Sequence, residues 1–182
     1  MRRLFLSILA VVTVSVSAQA NDFAVVLGFR SNSAETNAAA TSYDATTSFQ
    51  AGVLGFWDYT DLLGLRGGFL YTQRNFNTSG TPSTEVKLGY FDVPMTLTVK
   101  ISDYARFFAG PVLALNVSKK TSAGFVGKSP ESASIGLQLG ASFKFAPQFG
   151  AELFYELLPG RIWTDGLKDA KAVGANLLIT FE

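Results

Sequence analysis

Eight charged side chains fall on one face of an alternating chain: Arg30, Arg66, Arg74, Asp92, Lys100, Lys144, Glu152 and Glu156. An ion held out of water without a partner costs several kcal/mol, so mixed signs in a confined interior pair with one another. The chemistry expected of this set is a lumen charge network that holds the interior together, with Asp92 as its hub. A selective path or a small-ligand site is the other use of the same groups. A second set comprises Lys119, Lys120, Lys128, Arg161, Trp163 and Lys168, in the polar segments Ser118–Ser132 and Leu158–Ala170. These residues are candidates for loop recognition, in which cations meet phosphates or a partner surface. Plain solvation is the simpler account of them.

Other chemistry is excluded by what the chain lacks. It has no histidine and no cysteine, which removes Ser-His-Asp triads, imidazole and thiolate metal sites, and disulfides. No lysine beyond the first twenty residues has a serine three positions before it, so a Ser-x-x-Lys dyad is absent. Gly127-Lys128-Ser129 has the ending of a phosphate-binding loop, but Ser122 stands where its first glycine belongs. Asn77-Thr78-Ser79 and Asn116-Val117-Ser118 fit a glycosylation sequon, and neither is expected to be used. The expectation is therefore a non-enzymatic protein with no catalytic residue, metal or cofactor. A net charge of +1 offers no basic field for nucleic acid.

The elements that must position these groups are strands. Hydrophobic residues make up 48% of the chain and charged ones 16%, well below the roughly 25% charged of a soluble domain. Period-two alternation recurs in eight segments, as in Phe23–Arg30, where Phe23, Val25, Leu27 and Phe29 oppose Ala24, Val26, Gly28 and Arg30. The others are Thr47–Trp57, Leu63–Phe76, Glu85–Lys100, Phe107–Val117, Ile135–Phe145, Phe149–Leu157 and Val173–Phe181. Connections alternate as well. Asp58–Leu62, Ser102–Tyr104 and Ala146–Gln148 are tight. Ser31–Thr46, Asn77–Thr84, Ser118–Ser132 and Leu158–Ala170 are mostly longer and polar. That rhythm predicts an all-β fold, a closed eight-stranded antiparallel up-and-down transmembrane β-barrel, with both termini on the periplasmic side.

One face is Phe, Leu, Val, Ile and Tyr, as lipid requires; the other is mainly Gly, Ala, Ser, Thr and Asn with thinly scattered charge. The opposite assignment gives a soluble, exported lipocalin-like binding barrel with the Phe and Leu face lining a cavity. A narrow channel through the lumen is a further alternative, although eight strands leave an interior that side chains fill. Aromatic girdles are expected from Trp57, Tyr59, Tyr104, Phe107, Phe145, Phe149 and Phe181 at the short-turn ends, and from Tyr71, Phe76, Tyr155 and Trp163 at the long-loop ends.

Residues 1–20 read as a signal peptide: Arg2 and Arg3, an apolar stretch from Leu4 to Val16, then Ala18-Gln19-Ala20 as a small-x-small cleavage site. Without Arg2 and Arg3 the 15 basic residues fall to 13, against 14 acidic ones. Residues 21–182 are then the outer-membrane barrel domain.

The stretch Leu88-Gly-Tyr-Phe-Asp-Val-Pro-Met-Thr-Leu-Thr-Val-Lys100, followed by Phe107-Phe-Ala-Gly-Pro-Val112, resembles the porin-like and PorT-like outer-membrane β-barrel domain. The shared pattern is Tyr-x-acid-aliphatic-Pro, a basic strand end, an aromatic pair and Gly-Pro. Overall size is similar to the OmpX-like and opacity-type barrels. The resemblance implies a Gram-negative outer-membrane location and contact with outer-membrane lipid and lipopolysaccharide. It also implies assembly by the barrel assembly machinery, which reads a terminal aromatic. Here Phe181 is penultimate and Glu182 last, a departure from that signal.

Overall fold

The computed structural model describes residues 22–36, 43–78, 85–121, 131–161 and 167–181, with residues 36, 43–45, 78, 121, 160–161 and 167–168 described by backbone alone. The expected signal peptide and the Gly127-Lys128-Ser129 segment lie outside the described residues. Eight strands follow in order: β1 (Asp22–Thr36), β2 (Tyr43–Asp58), β3 (Leu63–Thr78), β4 (Glu85–Ser102), β5 (Ala105–Thr121), β6 (Ala133–Ala146), β7 (Phe149–Arg161) and β8 (Leu167–Phe181). Each pairs antiparallel with the next. β8 returns to β1, from Phe23 opposite Phe181 to Thr36 opposite Leu167, so the sheet closes into a barrel with no free edge.

Tight turns join the strands at one end. In the β2–β3 turn the Thr60 hydroxyl accepts the N–H groups of Leu62 (3.2 Å) and Leu63 (2.8 Å). In the β4–β5 turn the Ser102 hydroxyl accepts the N–H of Tyr104 at 3.2 Å. At the other end the strands overrun the segments expected to be loops: β1 reaches Thr36, β5 reaches Thr121 and β7 reaches Arg161. Beyond the membrane a paired ladder needs only hydrogen bonds, so pairing continues where the apolar pattern has stopped. Within the wall, β3–β4 pairing passes from Gly67–Met95 to Leu70–Asp92 across Pro94, which has no N–H to give.

Through the middle of every strand even-numbered residues point inward and odd-numbered ones outward, and register shifts near the strand ends interrupt this parity, as at the top of β5. The outer wall is apolar: Phe29 is 69% exposed, Ile135 68% and Leu97 65%. Such a surface requires hydrocarbon, which overturns the lipocalin-like alternative, because the Phe and Leu face does not line a cavity. Two further expectations are corrected. Phe76 is fully buried inside the lumen and belongs to no girdle; its even number places it on the inner face of β3. Nor is the inner face mainly small. Phe76, Val86, Leu88, Tyr90, Ala114, Leu158 and Ala170 form an apolar cluster toward the long-loop end. Ala24, Val26, Leu54, Phe56, Leu70 and Leu178 form another toward the short-turn end. Glycines on facing strands make the room these large side chains occupy.

Candidate functional site

Between the two apolar clusters lies a network of three arginines and three carboxylates. Arg74, on β3, donates to both oxygens of Asp92 on the neighbouring β4, Nη1 to Oδ1 at 3.1 Å and Nη2 to Oδ2 at 2.8 Å. The same Nη2 reaches Glu156 Oε1 on β7 at 2.9 Å. Arg30 of β1 meets that oxygen from the other side at 2.6 Å and stands 3.7 Å from Asp92. Arg66, lower on β3, grips Glu152 with Nε at 2.9 Å and Nη2 at 2.8 Å. Paired guanidinium–carboxylate bonds of this kind are stronger than neutral ones and fix orientation.

Amide side chains tie the two groups together. Arg66 donates to Gln138 Oε1 at 3.1 Å, and Gln138 Nε2 donates to Glu156 Oε2 at 3.4 Å. On the other side Arg30 donates to Gln50 at 3.3 Å, Gln50 to Asn176 at 2.7 Å, and Asn176 to Glu152 at 3.1 Å. Glu156 thus accepts four hydrogen bonds, from Arg30, Arg74 and Gln138. Asp92 accepts two, both from Arg74, so Glu156 is the more heavily bonded centre of the site. Aromatic rings support the cations: the guanidinium of Arg66 lies 4.2 Å from the Phe108 centroid, Arg74 4.3 Å from Tyr90 and Arg30 5.7 Å from Phe154.

Six of the eight expected lumen residues therefore meet: Arg30, Arg66, Arg74, Asp92, Glu152 and Glu156. Lys100 and Lys144 do not join them. They line a cavity of about 250 Å³ at the short-turn mouth, with Asp22, Asp103 and Arg106. There Lys100 pairs with Asp58 at 3.2 Å, and Arg106 makes two bonds to Asp58 at 3.0 and 3.2 Å. Asp58 and Arg106 carry no sequence signal for this role, because one opens the expected turn Asp58–Leu62 and the other stands one residue before the expected strand Phe107–Val117. Gln50, Gln138, Asn32 and Asn176 were equally legible by parity, but neutral amides carry no charge signal. Of the loop candidates, Lys119 and Lys120 are exposed at the top of β5. Arg161 and Lys168 are backbone partners across β7 and β8. Lys128 and Trp163 lie outside the described residues. Among the described residues no cluster of acidic groups could hold a metal ion.

The closed barrel, its apolar outer wall and its polar interior together describe a membrane-spanning protein, and the outer membrane protein beta-barrel domain family matches the chain over residues 6–157. The chain belongs to that family. The match starts within the expected signal peptide and ends in β7. Neisserial surface protein A is similar in fold, with a TM-score of 0.61 at 19% identity, covering 87% of this chain and 97% of that one. Ail, the attachment invasion locus protein of Yersinia pestis, gives 0.55 at 14%, covering 90% and 100%. OprG from Pseudomonas aeruginosa gives 0.55 at 12%, covering 90% and 97%. No curated protein matches the chain. This outer-membrane barrel shares with those structures its architecture, at identities that carry the fold alone.

Proposed function

We propose that this outer-membrane barrel is non-enzymatic and non-conducting, a structural or surface-interacting protein whose long-loop end meets its partners. In this reading residues 1–20 are removed on export, the barrel assembly machinery inserts the chain, and both termini and the short turns face the periplasm. The long loops then stand among lipopolysaccharide at the cell surface. One observation carries it: Arg30, Arg66, Arg74, Asp92, Glu152 and Glu156 are each no more than 2% exposed. A water-filled passage would have to run past these groups, which are instead shut off from solvent. The central network is buried and, with three arginines and three carboxylates, neutral, which supports a scaffold and leaves recognition to the rim.

Two measurements test the reading. Purified protein in planar bilayers is expected to give no sustained conductance; steady open-channel currents would overturn the closed lumen in favour of a narrow channel. The chain has no cysteine, so single cysteines report orientation cleanly. Glu131→Cys is expected to react with a membrane-impermeant maleimide on intact cells, and Thr60→Cys only after the outer membrane is permeabilised. The reverse pattern would invert the topology.

A further inference from the structure

We propose that the outer wall of β3, β4 and β5 carries a binding site for the phosphorylated sugar headgroup of an outer-leaflet lipid, centred between Lys87 and Lys120. The assignment rests on the orientation given above, which puts the long-loop end at the cell surface.

Up to Tyr71 and Phe91 the outward face of these strands is apolar. Tyr71 packs against Phe49 (6.0 Å between centroids) and Phe91 (5.8 Å), an aromatic group of the kind that marks the membrane–water boundary. Immediately beyond it the face turns polar in two cross-strand rows. The first is Gln73, Gly89 and Ser118; the second is Asn75, Lys87 and Lys120. Together with Tyr71 and Leu88 they line a cavity of about 190 Å³. Its position just past the aromatic group is the level of lipid headgroups.

The decisive feature is that Lys87 and Lys120 are direct partners across β4 and β5. Like charges opposite one another on one face of a sheet are destabilising, and this pair exists only because the β4–β5 register shifts at Gly89/Tyr90. Without the bulge, Lys120 would keep the parity of the inward residues below it. A bulge that re-aims one lysine to face another makes sense when an anion lies between them. Lys87 has a carboxylate partner, Glu85 at 2.9 Å, but both are about half exposed, and such pairs are weak and exchangeable. Lys120 has no ion pair among the described residues. The hydroxyls of Tyr71 and Ser118 converge over Gly89, where any side chain would collide with them. The side-chain oxygen of Asn75 has no hydrogen-bond partner. Two ammonium groups suit a phosphate; the two hydroxyls suit the sugar that bears it.

The test uses the purified, folded full chain in nonionic detergent, with the heating midpoint of its gel-mobility shift as readout. The probes are diphosphorylated lipid A, dephosphorylated lipid A and inorganic phosphate. Diphosphorylated lipid A is expected to raise the midpoint of the wild type, and the dephosphorylated lipid to raise it little. In K87Q/K120Q the apparent affinity for the phosphorylated lipid should fall roughly tenfold, while K119Q, which removes one neighbouring charge on the opposite parity, responds like the wild type. In detergent alone K87Q/K120Q should be no less stable than the wild type, because the repulsion is gone; a protein that merely lost a structural contact would be weaker. An undiminished response of K87Q/K120Q, or equal responses to both lipids, would overturn the site. A matching effect of inorganic phosphate would leave an adventitious anion only. Because micelles have no sidedness, these outcomes stand apart from the cysteine-labelling result.

Discussion

Phe154 fills the space that a side chain at residue 174 would take, so these two residues on adjacent strands share one volume inside the barrel. The ring sits beneath Arg30, and Arg30 holds Glu156 at 2.6 Å. Gly140 does the same for Phe108, which lies under Arg66. Packing and electrostatics are thus one construction: a glycine seats a ring, and the ring sets an arginine against its carboxylate.

Substituting the seat should therefore disturb the pair above it. Gly174→Val is expected to destabilise the barrel by about 1–3 kcal/mol through overpacking, read as a lower midpoint in denaturant unfolding from lipid vesicles. Gly67 faces outward, where the nearest backbone atom to an added Cβ is the Pro94 carbonyl at 3.3 Å. Gly67→Ala should change stability by no more than about 0.5 kcal/mol. Equal effects at both positions would remove the link between packing and network.

The two carboxylates of the upper group are not equivalent. Glu156→Gln leaves Arg30 and Arg74 both short of a partner, whereas Asp92→Asn leaves Arg74 still bonded to Glu156. Breaking a buried pair typically costs about 3–5 kcal/mol. Glu156→Gln is expected to reach that range and Asp92→Asn to fall below it. The opposite ranking would return the central role to Asp92.

Arg66 and Glu152 suit a double-mutant cycle, because each is the other's main partner. Glu152→Leu alone strands a buried guanidinium and should be strongly destabilising. Adding Arg66→Met should recover at least about 1 kcal/mol of that loss, since an apolar pair of similar size is often neutral relative to a buried ion pair. Additive losses would mean the two side chains act independently.

At the short-turn mouth the same chemistry should count for little. Asp58, Lys100 and Arg106 are 19–27% exposed in their side chains. Asp58→Asn is expected to cost no more than about 1 kcal/mol, and less at high salt. Unfolding midpoints compared at low and high ionic strength would check it, and a large, salt-independent loss would contradict it.

How much of this was legible in the chain depends on the kind of signal. Alternation marked all eight strands, and because side chains repeat every two residues it also sorted Arg30, Arg66, Arg74, Asp92, Glu152 and Glu156 onto one face. Strand ends were less legible, since β1, β5 and β7 continue by cross-strand pairing beyond the point where the apolar alternation stops. Lys100 and Lys144 share the parity of the network but sit too near the short turns to reach it, and parity carries no depth.

By itself the sequence determined which residues face lipid and which face the interior, because that follows from period and hydrophobicity along each strand. It also determined that both signs of charge share the inner face. Only the tertiary structure decided who meets whom. Glu156 and Arg30 are separated by 126 positions and are brought together by barrel closure, whose register is set by pairing between strands and not by any local pattern. The register between consecutive strands likewise decided that Phe108 and Phe154 find glycines opposite them. The bulge between β4 and β5 decided that Lys120 faces Lys87, because a single inserted residue reverses parity for everything beyond it.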